Sequence, residues 1–108
     1  MLQADIVDSL RQYMKNLTAD GISVTFVVVF GSQVTGKATE LSDIDVLVVS
    51  SDFDNMTDRS KIDKLWHIAG RTDHRIEPIP CGLERWEKDD YTPIIDIARN
   101  EGTVVTLN

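Results

Sequence analysis

Cysteine is all but missing from this 108-residue chain, with Cys81 the single example. An internal disulfide framework is therefore impossible, and one thiol alone cannot make a zinc site. As a nucleophile Cys81 would need a histidine beside it, and nothing in the pattern brings His67 or His74 there. It reads as a small, partly buried structural thiol that suits a reducing cytoplasm. Basic residues are also scarce: 11 lysines and arginines against 18 aspartates and glutamates leave a net charge of −7. That balance counts against tight binding of a nucleic-acid backbone, which needs a basic footprint. It leaves room for a nucleotide, because divalent cations neutralise phosphates and carboxylates together, and it favours a basic protein partner.

Other absences narrow the field further. The longest apolar segment, ending at Phe30, is far too short to span a bilayer. The N-terminal Met1-Leu2-Gln3-Ala4-Asp5 lacks the basic start and apolar run of a signal peptide. Repeats, linkers and low-complexity stretches are missing, so residues 1–108 are expected to form one domain of a cytoplasmic protein. Lys37 lacks the glycine pattern of a Walker A loop, and the spaced glycines of a dinucleotide fingerprint are absent as well. His67 and His74 read as surface or packing residues.

What is present alternates between helical and strand patterns. Leu2, Ile6, Leu10, Met14 and Leu17 recur at helical spacing, and Gly21 supplies a stop. Val24 to Phe30 is a nearly continuous apolar strand, of the kind buried on both faces. Gln33 to Ala38 allows a short helix limited by Gly36, and Thr39 to Ser42 a loop into a second strand, Ile44 to Val49. Thr57 is placed to cap a helix from Asp58 to Ala69, with Ile62, Leu65, Trp66 and Ala69 on its apolar face. Trp66 is expected in the core; Trp86 fits either the core or a partner-facing patch.

His74 to Ile79 reads as a short third strand whose two prolines mark an edge or an end. Leu83 and Trp86 belong to a short helix. Glu87-Lys88-Asp89-Asp90 reads as a solvated loop, or else as a grip on a basic partner. Thr92-Pro93 opens a last helix through Asn100, stopped by Gly102, and Thr103 to Leu107 forms a final strand. The expected fold is α/β (α+β): a small mixed β-sheet of about four strands with helices packed mainly on one face.

The richest chemistry lies between the first two strands. Phe30-Gly31-Ser32 ends one, and Asp43-Ile44-Asp45 begins the next. Strand alternation aims Asp43 and Asp45 the same way and Ile44 into the core. Two carboxylates one strand repeat apart can share a pair of divalent ions, roughly 3.5–4 Å apart in two-metal sites. A Gly-Ser turn offers backbone N–H groups and a hydroxyl to a phosphate. The plain alternative is that Asp43 caps a loop and Asp45 is a solvated strand residue, although Asp is disfavoured in strands.

The pattern Gly31-Ser32-x10-Asp43-x-Asp45 resembles the signature of the DNA polymerase β-like nucleotidyltransferase superfamily, and the short length resembles its minimal nucleotidyltransferase (MNT) branch. The resemblance covers most of the chain, from the opening helix to the last strand. It implies a nucleotidyltransferase fold and a third acid on a neighbouring strand. Glu77, in Arg75-Ile76-Glu77-Pro78, is that candidate, in place of the usual Asp; otherwise it is an exposed edge-strand acid. It also implies Mg²⁺ (two ions) held by Asp43, Asp45 and Glu77, ATP as substrate, and Gly31, Ser32 and Lys37 at the phosphates. Gln33 stands where many similar minimal transferases carry arginine, which lowers the expected nucleotide affinity.

Such transferases often act as antitoxins that attach AMP to a helical HEPN protein, so a HEPN-type partner is implied here. Two other readings remain. One is a non-catalytic antitoxin or nucleotide-binding module acting by contact. The other is a small-molecule adenylyltransferase working as a homodimer.

Overall fold

The first helix, α1, spans Ala4–Ala19 and buries Ile6, Leu10, Tyr13, Met14 and Leu17, the stripe that helical spacing anticipates. It ends in a Schellman turn: Gly21 N–H donates to the Thr18 carbonyl and Ile22 N–H to that of Leu17. The turn needs φ = +92° at residue 21, which glycine adopts without a Cβ penalty. Ile22 is then buried in the same cluster as Leu17. The computed structural model describes residues 2–39, 41–55 and 59–107. The expected cap at Thr57 and helix start at Asp58 lie outside the described residues, as does Glu40 within the loop before Asp43.

Four strands follow: β1 (Phe26–Phe30), β2 (Ile44–Ser50), β3 (Ile76–Gly82) and β4 (Thr103–Val105). They form one mixed sheet in the order β3-β2-β1-β4. β1 is antiparallel to both β2 and β4, whereas β2 and β3 run parallel. The remaining helices are α2 (Ser32–Thr35), α3 (Ser60–Thr72), α4 (Leu83–Lys88) and α5 (Pro93–Glu101).

Each central strand serves two cores, because its side chains alternate. Val27, Val29, Ile44, Val46 and Val48 pack with Leu10, Tyr13, Leu65 and Ile68 of α1 and α3. Val28, Phe30, Leu47 and Val49 pack on the other face with Cys81, Ile95 and Ala98. Burying such a side chain stabilises by about 1.5–3 kcal/mol, so the two faces together anchor β1 and β2 in the middle. The two longest helices share one face, as expected, and the shorter α4 and α5 cover the other.

The third strand is longer than anticipated and carries both prolines inside it. The Arg75 carbonyl accepts from Ile44 N–H across the parallel ladder. Backbone direction alternates along a strand, so residues 76, 78 and 80 turn their N–H positions away from β2. Pro78 and Pro80 therefore lack donors only on the free side of an edge strand, where none is required.

Two other expectations need correction, at Trp66 and at Glu87 to Asp90, and the open reading of Trp86 falls to the core. Trp66 is 50% exposed, because α3 turns Leu65, Ile68 and Ala69 inward instead. Trp86 leans on the second core, edge-to-face with Phe26 at 5.6 Å and beneath the Arg99 guanidinium. The segment Glu87 to Asp90 is no simple solvated loop, because Asp89 is buried. Its carboxylate accepts from Tyr91 N–H, Thr92 N–H, the Thr92 hydroxyl and Arg85, fixing the entry to α5. Thr92 holds the N-cap position without capping through its own side chain.

A second polar knot ties α1 to the start of β3. Arg75 grips Asp73 through two guanidinium nitrogens at 3.0 and 2.8 Å, and Ser9 donates to the same carboxylate at 2.9 Å. The guanidinium beside it is the main reason the Asp73 carboxyl is held down at about 2. A folded-state pKa below the unfolded one stabilises fully above the ordinary carboxylate range and fades as pH falls through the folded value. Thermal melts between pH 5 and 2 should therefore show a steep loss of Tm. Asp73→Asn should flatten that slope and cost roughly 2 kcal/mol at neutral pH.

Candidate active site

The site forms where β1 ends and the parallel strands β2 and β3 begin. Antiparallel pairing sets Phe30 against Asp45, and parallel pairing sets Asp45 beside Glu77. Asp45 shares its face with Leu47 and Val49, and Glu77 shares the same face with Ile79 and Cys81. Both acids are half-buried, and Asp43, just ahead of the strand, is exposed. Ile44 between them is fully buried on the opposite face.

The Gly31 turn is shaped around Asp45. Gly31 has φ = +77°, and a Cβ there would lie 2.5 Å from Asp45 Oδ2. Backbone conformation and carboxylate approach thus both demand glycine. The Gly31 carbonyl accepts from Val34 and Thr35 N–H, which starts α2 at Ser32. Because α2 is one turn long and ends at Gly36, this corner offers local amides and the Ser32 hydroxyl, not a helix dipole.

The electrostatics are those of crowded carboxylates. Burial first, then the charges of Asp43 and Asp45 and hydrogen bonds to both, push the Glu77 carboxyl above its usual range. Burial and the Asp43 charge raise Asp45, opposed by its hydrogen bond with Glu77. Among the described residues no lysine or arginine forms an ion pair with any of the three acids. Arg75, two residues before Glu77, is committed to Asp73 and Asp5.

This donor set is hard, anionic and short of counter-charge, which suits Mg²⁺ in kind. Among the described residues no three acid, His or Cys side chains are already gathered around one ion position.

Four of the sequence candidates are thus brought together: Gly31, Asp43, Asp45 and Glu77, with Ser32 next to them. Lys37 is not; it is exposed beyond α2 and makes no hydrogen bond or ion pair among the described residues. Gln33 is the residue that sequence reading undervalued. Its side-chain amide donates to the Ser42 and Asp43 carbonyls at 3.4 and 3.2 Å. It also borders a cavity of about 470 Å³ shared with Gln3, Thr39 and Arg75.

A larger groove, about 570 Å³, opens near the far end of β3 beside Pro80, Gly82 and Tyr91. It contains none of the three acids, and its Arg85 and Lys88 pair with Asp89 and Glu84.

A family model described as a nucleotidyltransferase domain matches residues 7–97. No curated protein sequence is significantly similar to the chain. Among solved structures, a candidate nucleotidyltransferase from Sulfolobus solfataricus superposes on 91% of this chain and 77% of its own, with a TM-score of 0.61 and 14% identity. At that identity the likeness concerns the fold.

Two substitutions test the crowding. Gly31→Ala forces Asp45 aside and strains the turn, and urea denaturation should show a loss of about 1–3 kcal/mol. Glu77→Gln removes a carboxylate that is costly to ionise, so its Tm at pH 7 should equal or exceed that of the native chain. A clear fall in Tm would mean that the acids do not repel one another.

Proposed function

We propose, because the chain belongs to the nucleotidyltransferase domain family, that it transfers AMP from ATP to a hydroxyl presented by a partner protein, with Asp43, Asp45 and Glu77 as the acids of the reaction. The observation that carries this reading is the register that places Asp45 beside Glu77, with the Gly31 turn against Asp45. Two strand ends and one turn thus meet at a single corner of the sheet.

The residues divide the work by position. Asp43 and Asp45 would hold Mg²⁺, with Glu77 as the third acid from the neighbouring strand. The bound cation supplies charge neutralisation of the phosphates and a lowered pKa for the attacking hydroxyl. Gly31 N–H and the Ser32 hydroxyl orient the β- and γ-phosphates. Glu77, whose carboxyl is raised above its usual range by burial and by the Asp43 and Asp45 charges, accepts the proton of the acceptor hydroxyl. The new bond joins the hydroxyl oxygen to the α-phosphorus, and the bond to the bridging oxygen breaks, releasing pyrophosphate. Positioning and charge stabilisation are most of what this chemistry asks of a protein.

Two features support a protein acceptor of the helical HEPN type, and hence an antitoxin role. Asp43, the outermost of the three acids, is exposed, so the acid corner is reachable from its side. Leu41, two residues before Asp43, is 92% exposed, an apolar contact point on the rim of the site. Inhibition of the partner by contact alone is the second reading. It is favoured by Glu77 in place of Asp and by acids not yet gathered around an ion position.

Transfer of label from α-³²P ATP with Mg²⁺ decides between them, run with and without a helical protein of the HEPN type. Label on the partner, lost with Asp43→Asn/Asp45→Asn, is the expected result. A stable, inhibitory complex without label, unaffected by the double substitution, would replace transfer by contact inhibition. Label on small molecules in the chain's sole presence would remove the protein acceptor.

A further inference from the structure

We infer that Gln33 is a positioning residue that holds the Asp43 backbone in place from behind. The inference rests on the transfer reading only for what Asp43 does; the brace itself stands on its own geometry. The Gln33 side-chain amide reaches from α2 across to the loop and donates to two successive carbonyls, Ser42 at 3.4 Å and Asp43 at 3.2 Å. Both partners are acceptors, so the amide nitrogen, not its oxygen, must face them.

The segment it braces has few other ties. Thr39 and Ser42 bond each other, through Thr39 N–H to the Ser42 hydroxyl and Ser42 N–H to the Thr39 carbonyl. Ile44 N–H reaches the Arg75 carbonyl at 2.7 Å. Between those anchors, Asp43 sits at the start of β2 with an exposed side chain. A cavity of about 470 Å³, lined by Gln33, Thr39, Ala38 and Arg75 among others, adjoins the brace. Among the described residues, the hydrogen bonds that hold the main chain at Asp43 are those of Gln33 and of the adjoining Ile44.

Gln33 stands where similar minimal transferases carry arginine, but its side chain is turned to the main chain. A side chain directed at backbone carbonyls is not directed at a triphosphate. Gln33 should accordingly act on kcat and on metal affinity, and hardly at all on the KM for nucleotide. Outer groups that orient metal-binding residues typically change metal affinity or activity about 10–100-fold when removed.

Gln33→Met and Gln33→Glu separate the brace from the helix. All three residues have similar helix propensity, so α2 should survive either change. Methionine keeps the length and loses the donor. Glutamate sets an acceptor against two acceptors. The primary readout is amide hydrogen exchange at Ser42 and Ile44, with thermal melts as the control for global stability. Exchange there should rise roughly fivefold in Gln33→Met, the loss of about one hydrogen bond, and further in Gln33→Glu, with exchange in α1 and α3 unchanged.

In parallel, Mn²⁺ affinity measured by electron paramagnetic resonance should fall about tenfold, and kcat should fall with KM for ATP steady. Unaltered exchange at Ser42 and Ile44 in both variants would overturn the proposal, whatever activity does. A native chain that never transfers label, while exchange rises in the variants, would sink the transfer reading and leave the brace intact.

Discussion

The parallel register between β2 and β3 is the constraint on which the rest depends. Side chains alternate along a strand, so a slip of one residue would carry Glu77 to the opposite face of the sheet. The same slip would push Ile76 out of the α1–α3 core and Cys81 out of the α5 core. The register is thus enforced from both faces, by Ile44, Val46 and Ile76 on one and by Leu47, Val49 and Cys81 on the other. The hydrogen bond from Ile44 N–H to the Arg75 carbonyl fixes its first rung. Asp73, held by Arg75 and Ser9, then sets the direction from which the chain enters that rung.

Set against this enforced frame, the acid corner runs contrary to stability. Three carboxylates lie at one end of the sheet in a chain of net charge −7, without a described cation to balance them. Sites that work by gathering charge commonly cost the fold some stability, which the remaining structure makes up. Here the compensation is visible in the unbroken apolar strands β1 and β2, from which Asp43 and Asp45 emerge at one end. The chain can tolerate repulsion at that corner because the strands that carry it are buried on both sides.

Much of this was legible in the sequence, for identifiable reasons. The runs at Val27 to Phe30 and Val46 to Val49 are apolar without alternation, the pattern of strands covered on both faces. Gly31-Ser32 and Asp43-x-Asp45 are local motifs, so their placement needed no knowledge of distant contacts. Glu77 was harder: one acid in a short segment becomes meaningful only when β3 lies beside β2. Trp66 misled because it stands four residues after Ile62 and one after Leu65. Both alignments fit a helical stripe, and tertiary packing chose the one through Leu65, Ile68 and Ala69. Asp89 looked like part of a solvated charge run, yet its partners Tyr91, Thr92 and Arg85 enclose it. Burial of a polar hub leaves no periodic trace. Gln33 escaped notice for the same reason, since side-chain bonds to main-chain carbonyls have no sequence signature.

The prolines of β3 bear on how another molecule can approach. A sheet grows sideways when a new strand takes up the N–H and C=O groups along an open edge. On the edge beside Glu77, Pro78 and Pro80 have removed two consecutive outward donors, so that ladder cannot be continued through the middle of the strand. Assembly by strand addition is thereby steered away from the acid-bearing side of the sheet. A protein partner that reaches Glu77 therefore presents a side chain from a helix or a loop, not an added strand.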